Sequence, residues 1–332
     1  MDTSIPHSKP YLGQEEVDAV LKTLASGNLS SGNQVHALED SLSTRFNRPS
    51  CVVSSGTAAL HLALLGLGIG KGAKVAIPTH TCPSLLYVLQ YVNAEPVLFD
   101  CGPLGIGIDM GSLEMRLLTV DAIIVVHTYG FPVPLAKQLP EKTVLIEDCA
   151  HSIGATISEK SELMSGAALM FSFYPTKMMC GGECGAVVGS TALIDFIKQV
   201  RSPRGADSAQ THYPYSPNEL CAAIANQQFQ KLNVFIEKRR QIAAFYDASF
   251  AELPITIPWS YPSAKSVYYR YVIETPKPRD EVIKRANELG VRFGFGVKTP
   301  LHRLLKKKIK EFPNSEKAYK YSVSIPIYPG LS

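Results

Sequence analysis

Three stretches of this chain set a reactive or ligand-binding residue directly after an apolar run. Ile146-Glu147-Asp148 ends such a run in carboxylates, Phe171-Ser172-Phe173-Tyr174-Pro175-Thr176-Lys177 ends one in a lysine, and Gly56-Thr57 opens a helical pattern after Val52-Val53. The first N–H groups of a helix lack intrahelical partners and sit at the positive end of its dipole, so a helix start beside a glycine suits a phosphate. A buried carboxylate can keep a heterocyclic nitrogen protonated. A lysine amine can form an imine with a carbonyl and then carry protons. Each feature alone is ordinary: a lysine after a strand usually snorkels to the surface, an Asp there caps a turn, and Gly-Thr before a helix merely caps it. Their joint order along one chain is what gives them weight.

Those residues need elements that bring them to one place. Amphipathic spacing predicts helices over residues 15–24 and 35–46, with a turn-rich loop at 26–32 between them and a third helix from Thr57. Short apolar runs at 75–77, 96–99, 123–126, 144–146, 168–173 and 186–189 then alternate with helix-like segments, the pattern of a mostly parallel α/β sheet. In such sheets ligands lie beyond the carboxyl ends of the strands, which is where Asp148 and Lys177 fall. A long helix is predicted over 219–253, after which the proline-rich stretch 254–262 leads to a strand at 268–274 and a helix at 280–289. The expected division is a large domain of residues 1–250 and a small α+β domain of residues 251–332.

Composition narrows the function classes. A net charge of +4 over 332 residues, with no basic stripe interleaved with aromatics, points away from nucleic acid. The run Lys306-Lys307-Lys308-Ile309-Lys310 reads as a solvated face. Seven cysteines lack the paired spacing of a disulfide framework, which fits a reducing cytoplasm. Cys180 and Cys184 have no matching ligand pair, so no metal is expected. The N-terminus lacks the apolar core of a signal peptide, and no run approaches the roughly 20 apolar residues of a membrane helix. The glycines of Gly66-Leu67-Gly68-Ile69-Gly70 follow a helix and precede a strand, the reverse of a dinucleotide fingerprint, and so mark a helix-ending turn.

A phosphate cradle, a partner for a pyridine nitrogen and an imine-forming amine are the three things that pyridoxal phosphate (PLP) requires. The chain also resembles the DegT/DnrJ/EryC1/StrS family, PLP-dependent aminotransferases of fold type I that mostly aminate nucleotide-linked keto sugars. The resemblance runs from Ile5 to Leu331. It is carried by Ser54-Ser55-Gly56-Thr57-Ala58-Ala59-Leu60, His127-Thr128-Tyr129-Gly130, Ile146-Glu147-Asp148-Cys149-Ala150-His151, Ser172-Phe173-Tyr174-Pro175-Thr176-Lys177 and Gly182-Glu183-Cys184-Gly185-Ala186. It implies that Lys177 is the Schiff-base lysine and Asp148 the partner of the pyridine nitrogen. Gly56, Thr57 and Ser172 are implied as phosphate ligands, and His151 as the neighbour of the ring hydroxyl. It further implies a homodimer with a shared active site, an amino-acid donor, glutamate by analogy, and a keto-sugar acceptor.

Several positions depart from the family pattern. Cys82 stands where relatives carry an aromatic ring stacked on PLP. Tyr213-Pro214-Tyr215-Ser216 replaces a Tyr-Asn-Tyr-Arg-like stretch, so the amide for phosphate and the guanidinium for a carboxylate are missing. Arg201 and Arg204 are either substitutes for that guanidinium or surface residues. The chain is also expected to end short of a further helix found in relatives. A branch of the family with histidine in place of the lysine works as a sugar dehydratase, and Lys177 speaks for transamination. The competing possibility is a PLP-binding or regulatory protein that kept the fold and lost turnover, supported by Pro214 and Ser216 and opposed by the intact Asp148 and Lys177.

Overall fold

The structure, a computed structural model, describes residues 4–135, 139–158, 161–162, 166–203 and 209–331. The chain opens with α1 (Gln14–Ala25) and α2 (Asn33–Phe46), followed by β1 (Ser50–Val53), α3 (Gly56–Gly66), β2 (Lys74–Pro78), α4 (Ser84–Tyr91) and β3 (Glu95–Phe99). Next come α5 (Met110–Leu117), β4 (Ala122–Val126), β5 (Val144–Asp148), the hairpin β6 (Thr156–Ser158) and β7 (Ser161–Glu162), β8 (Ala168–Ser172) and β9 (Gly185–Gly189). The remainder is α6 (Thr191–Val200), the long α7 (Glu219–Phe250), β10 (Tyr271–Glu274), α8 (Arg279–Glu288), α9 (Leu301–Leu304), α10 (Pro313–Tyr321) and β11 (Ser322–Ile325). No helix among the described residues is long and apolar enough to cross a membrane.

Seven strands form one sheet in the order β1-β9-β8-β5-β4-β2-β3. Only β9 runs against the others, since it pairs antiparallel with both β8 and β1. Central strands such as Ala122-Ile123-Ile124-Val125-Val126 are buried throughout, as a strand covered on both faces must be. Alternation along β1 shows the two layers: Cys51 and Val53 pack with apolar residues of α3, α4 and α6, whereas Val52 packs with α2 and α7. The carboxyl ends of β1, β2, β4, β5 and β8 therefore share one edge. Register puts Asp148 beside Val126 and Met170, and Ser172 beside Gly185, which in turn faces Val53.

A second, two-stranded sheet of β10 and β11 packs Tyr271, Ile273, Val323 and Ile325 against Ile242, Tyr246 and Phe250 of α7. The strand expected from residue 268 begins only at Tyr271, because Tyr268 has φ 48°, a left-handed conformation that cannot continue a ladder. Helix α7 stops at Phe250, three residues before the expected end. The segment 254–262, expected as a plain linker, adds a bridge from Thr256 to Glu274.

Candidate active site

Asp148 ends β5 with its side chain buried. Its Oδ1 accepts the Ala150 N–H at 2.9 Å, and no other hydrogen bond holds the carboxylate among the described residues. Burial raises its pKa, opposed by the Ala150 N–H, by the positive charge of Lys177 and by the neighbouring His127 imidazole. Behind it, His127 Nδ1 accepts the Val133 N–H at 3.0 Å, so its Nε2 carries the proton and donates to Glu147 at 3.1 Å. Glu147 in turn accepts the Gly166 N–H at 2.7 Å. Cys149 lies within the same 4.8 Å cluster, but His127 has both nitrogens engaged, which makes this a brace for the β4–β5 edge.

Lys177 lies in the turn that follows β8, its backbone N–H bonded to the Tyr174 carbonyl at 2.8 Å. Its Nζ is 5.2 Å from the centre of the Tyr269 ring and has no hydrogen bond or ion pair among the described residues. An amine held by no ion pair or hydrogen bond among the described residues is available for covalent chemistry.

Gly56 begins α3, and Ser55 caps it by accepting the Ala58 N–H. A Cβ on Gly56 would lie 2.7 Å from the Ser172 Cβ, and one on Gly185 would lie 2.5 Å from the Ser55 backbone. The absence of side chains at both glycines lets the helix start reach the ends of β8 and β9. Among the described residues no acceptor meets the Gly56 and Thr57 N–H groups at the start of this helix, and Gly56 lies beside the Ser172 hydroxyl, together the donor chemistry a phosphate needs. With Asp148 and Lys177 on the same edge, the residues present fit PLP.

His151 stacks on Tyr269, ring centres 4.3 Å apart, and accepts the Tyr129 N–H at 3.3 Å through Nδ1. Burial, with Lys177 and Arg270 nearby, holds it well below the usual histidine range, so it is neutral with its proton on Nε2. Tyr269 itself was not anticipated from the sequence. Burial resists its ionisation, but the charges of Lys177 and Arg270, with hydrogen bonds from Thr176 and Arg270, bring it down to about 8. Arg239 on α7 fixes this segment by donating to the carbonyls of Tyr268, Tyr269 and Ile327. Arg270 and His7, also unanticipated, complete the cluster. A repeated aromatic in Tyr268-Tyr269-Arg270-Tyr271 was the only signal available.

Cys82 is exposed on the loop after β2, 3.3 Å from Ser84 Oγ, and has no hydrogen bond or ring contact with Lys177, Asp148 or His151 among the described residues. Tyr213 and Tyr215 stack on each other at 5.5 Å and both meet His61 of α3 edge-on. Tyr215 also accepts the Ser54 N–H through its carbonyl, beside the phosphate cradle. Arg201 is neither a surface residue nor a free clamp: its guanidinium donates to Glu39 at 2.6 Å and to the Val52 carbonyl at 2.6 Å. Arg204 lies outside the described residues.

A mostly parallel doubly layered sheet with this carboxylate, lysine and helix start on its carboxyl edge defines an aminotransferase of the PLP-dependent class. The chain belongs to the DegT/DnrJ/EryC1/StrS aminotransferase family, which it matches over residues 10–332. It is 27% identical to the spore coat polysaccharide biosynthesis protein SpsC of Bacillus subtilis (strain 168), covering 99% of this chain and 93% of that one. Among solved structures it is similar to the PLP form of Spr1654 from Streptococcus pneumoniae, with a TM-score of 0.92 at 21% identity over 99% of this chain and 95% of that one. A DegT DnrJ EryC1 StrS aminotransferase from Brucella abortus gives a TM-score of 0.86 at 25% identity over 96% and 91%. The cofactor of the class is pyridoxal phosphate.

Proposed function

We propose that this chain moves an amino group from an amino acid, glutamate, to the ketone of a nucleotide-linked sugar. The observation that carries the reading is the unpaired Lys177 amine on the same strand edge as the buried Asp148 carboxylate and the Gly56 helix start. PLP, when bound, supplies an electron sink for the charge left when the donor's Cα gives up its proton. Lys177 would hold the cofactor covalently and, once displaced by the donor, take that proton and return it to the neighbouring carbon. Asp148 would keep the ring nitrogen protonated, an interaction strengthened by its burial. The Gly56 and Thr57 N–H groups and the Ser172 hydroxyl would hold the phosphate. His151 would donate its Nε2 proton to the ring hydroxyl, and Cys82 would cover a ring face. The sugar acceptor is supported by kinship to a polysaccharide biosynthesis protein.

The same reading includes a cytoplasmic homodimer whose sites are shared through the Tyr213-Pro214-Tyr215 stretch, and a boundary between large and small domains at 250/251. A PLP-binding protein without turnover remains the competing reading, favoured by Pro214 and Ser216. One experiment separates them. Borohydride reduction of the loaded protein followed by peptide mapping should place the cofactor on Lys177, and glutamate should change the cofactor spectrum before reduction. Lys177→Ala should abolish both. Asp148→Asn should keep the covalent link and slow the spectral change by at least roughly 100-fold, the loss of a charge-assisted hydrogen bond of about 3 kcal/mol. Cofactor on another lysine, or a loaded wild type inert to every amino acid, refutes the proposal.

A further inference from the structure

The guanidinium that relatives use for a carboxylate is missing at Ser216, and Arg201 is committed to Glu39. A different arginine stands in the site. Arg270 is half-buried, its Nη1 against the His7 ring and its Nη2 donating to the Tyr269 hydroxyl at 3.3 Å. No carboxylate lies within ion-pair distance of it among the described residues. Below the Tyr269 value of about 8 its neighbours do not supply the missing charge. His7, pushed down to about 3 by burial and by Arg270, is neutral, and it is tethered to Ser324 at 2.9 Å. Other shielded arginines donate to oxygen acceptors of the fold, Arg303 to Glu316 and Arg239 and Arg279 to backbone carbonyls, whereas the one oxygen that the Arg270 guanidinium meets among the described residues is the Tyr269 hydroxyl. A cation kept partly out of water without a counter-ion is costly unless an anion arrives from solution.

We propose that Arg270, braced by His7 and Tyr269, binds the α-carboxylate of the amino donor. Nζ of Lys177 and Cζ of Arg270 lie 5.2 Å and 5.0 Å from the centre of the same Tyr269 ring, so they are no farther apart than the sum of those distances. An amino acid whose nitrogen meets the lysine's position and whose carboxylate accepts from a guanidinium spans roughly 8 Å between those atoms, hydrogen bonds included. The planar fork matches a carboxylate in two parallel bonds, and a cofactor phosphate held at Gly56 and Ser172 would leave it free for that role. The inference rests on the donor being an amino acid.

The test uses the PLP-loaded protein and its Arg270→Gln and Arg270→Lys variants. Calorimetric titration with 2-methylglutamate, which has no α-proton to lose, should give a dissociation constant roughly 30-fold weaker in Arg270→Gln than in wild type. The α-amide of the same compound should bind wild type and Arg270→Gln equally, because it offers the guanidinium no charge. Arg270→Lys keeps the charge but not the fork and should fall roughly tenfold, which serves where the glutamine variant fails to fold. Either variant binding 2-methylglutamate as wild type does overturns the assignment of Arg270 alone. A wild type whose cofactor spectrum responds to no amino acid overturns the donor reading and this inference with it.

Discussion

Arg201→Met should damage the fold and leave donor binding intact. Glu39 is buried on α2 and accepts both the Arg201 guanidinium at 2.6 Å and the Val52 N–H at 2.9 Å. The same guanidinium nitrogen donates to the Val52 carbonyl, so one side chain links α6, α2 and β1. Removing one member of a buried ion pair strands the other, at a cost of about 3–5 kcal/mol. Lys198, 3.7 Å from the second Glu39 oxygen and half exposed, recovers part of that, which puts the expected loss near the low end, about 3 kcal/mol. Urea titration followed by circular dichroism reads it as a lower midpoint with an unchanged slope. Glu39→Gln in the Arg201→Met background should cost far less than in wild type, because the stranded charge is already gone. A loss below about 1 kcal/mol, or a raised KM for the donor with stability intact, would refute this account and return Arg201 to the binding residues.

Gly185→Ala should destabilise by about 1–3 kcal/mol and loosen PLP, since its Cβ would meet Ser55 and Gly56 backbone at 2.5–2.6 Å; unchanged cofactor affinity counts against the cradle. Cys82→Phe should tighten PLP by about 0.5–1.5 kcal/mol, read by equilibrium dialysis, if the exposed thiol covers the ring; equal or weaker retention places Cys82 elsewhere. Burial depresses His7 and His80 to about 3, and lowers His61 and His151. Below pH 6.5 the unfolded chain therefore binds protons that the folded chain refuses. Stability present above that pH should fall towards pH 3, by about 1.4 kcal/mol per pH unit for His7 and again for His80, partly offset by Asp148, whose raised pKa acts in the opposite sense. Urea midpoints that are flat between pH 7 and pH 5 contradict this.

The central sheet was legible because each strand is a short apolar run between turns, and the run Ala122-Ile123-Ile124-Val125-Val126 has no other comfortable home. The places of Asp148 and Lys177 after strand ends were legible for the same reason: a strand end fixes where its next residues fall. Tyr269 and Arg270 were not. Their segment reads as the start of a strand, and only the left-handed turn at Tyr268, with Arg239 holding its carbonyls, turns them towards Lys177. Nothing local reveals that His7 meets a residue 263 positions away, or that Arg201 finds its anion 162 positions away. The pair β10–β11 was half legible, since β11 follows α10 without a turn and has no pattern apart from its partner.

The bond between His7 and Ser324 joins residues 317 positions apart. On a ribosome adding about 5–20 residues per second, the stretch around His7 waits on the order of half a minute for its partner to be made. The parallel sheet can assemble meanwhile, yet the side wall holding His7 against Arg270 cannot. Co-translational order thus separates the residues proposed to cradle the cofactor, which can assemble early, from those proposed to hold the donor, which close last. A chain arrested before β11 should take up PLP while discriminating poorly among the amines offered to it.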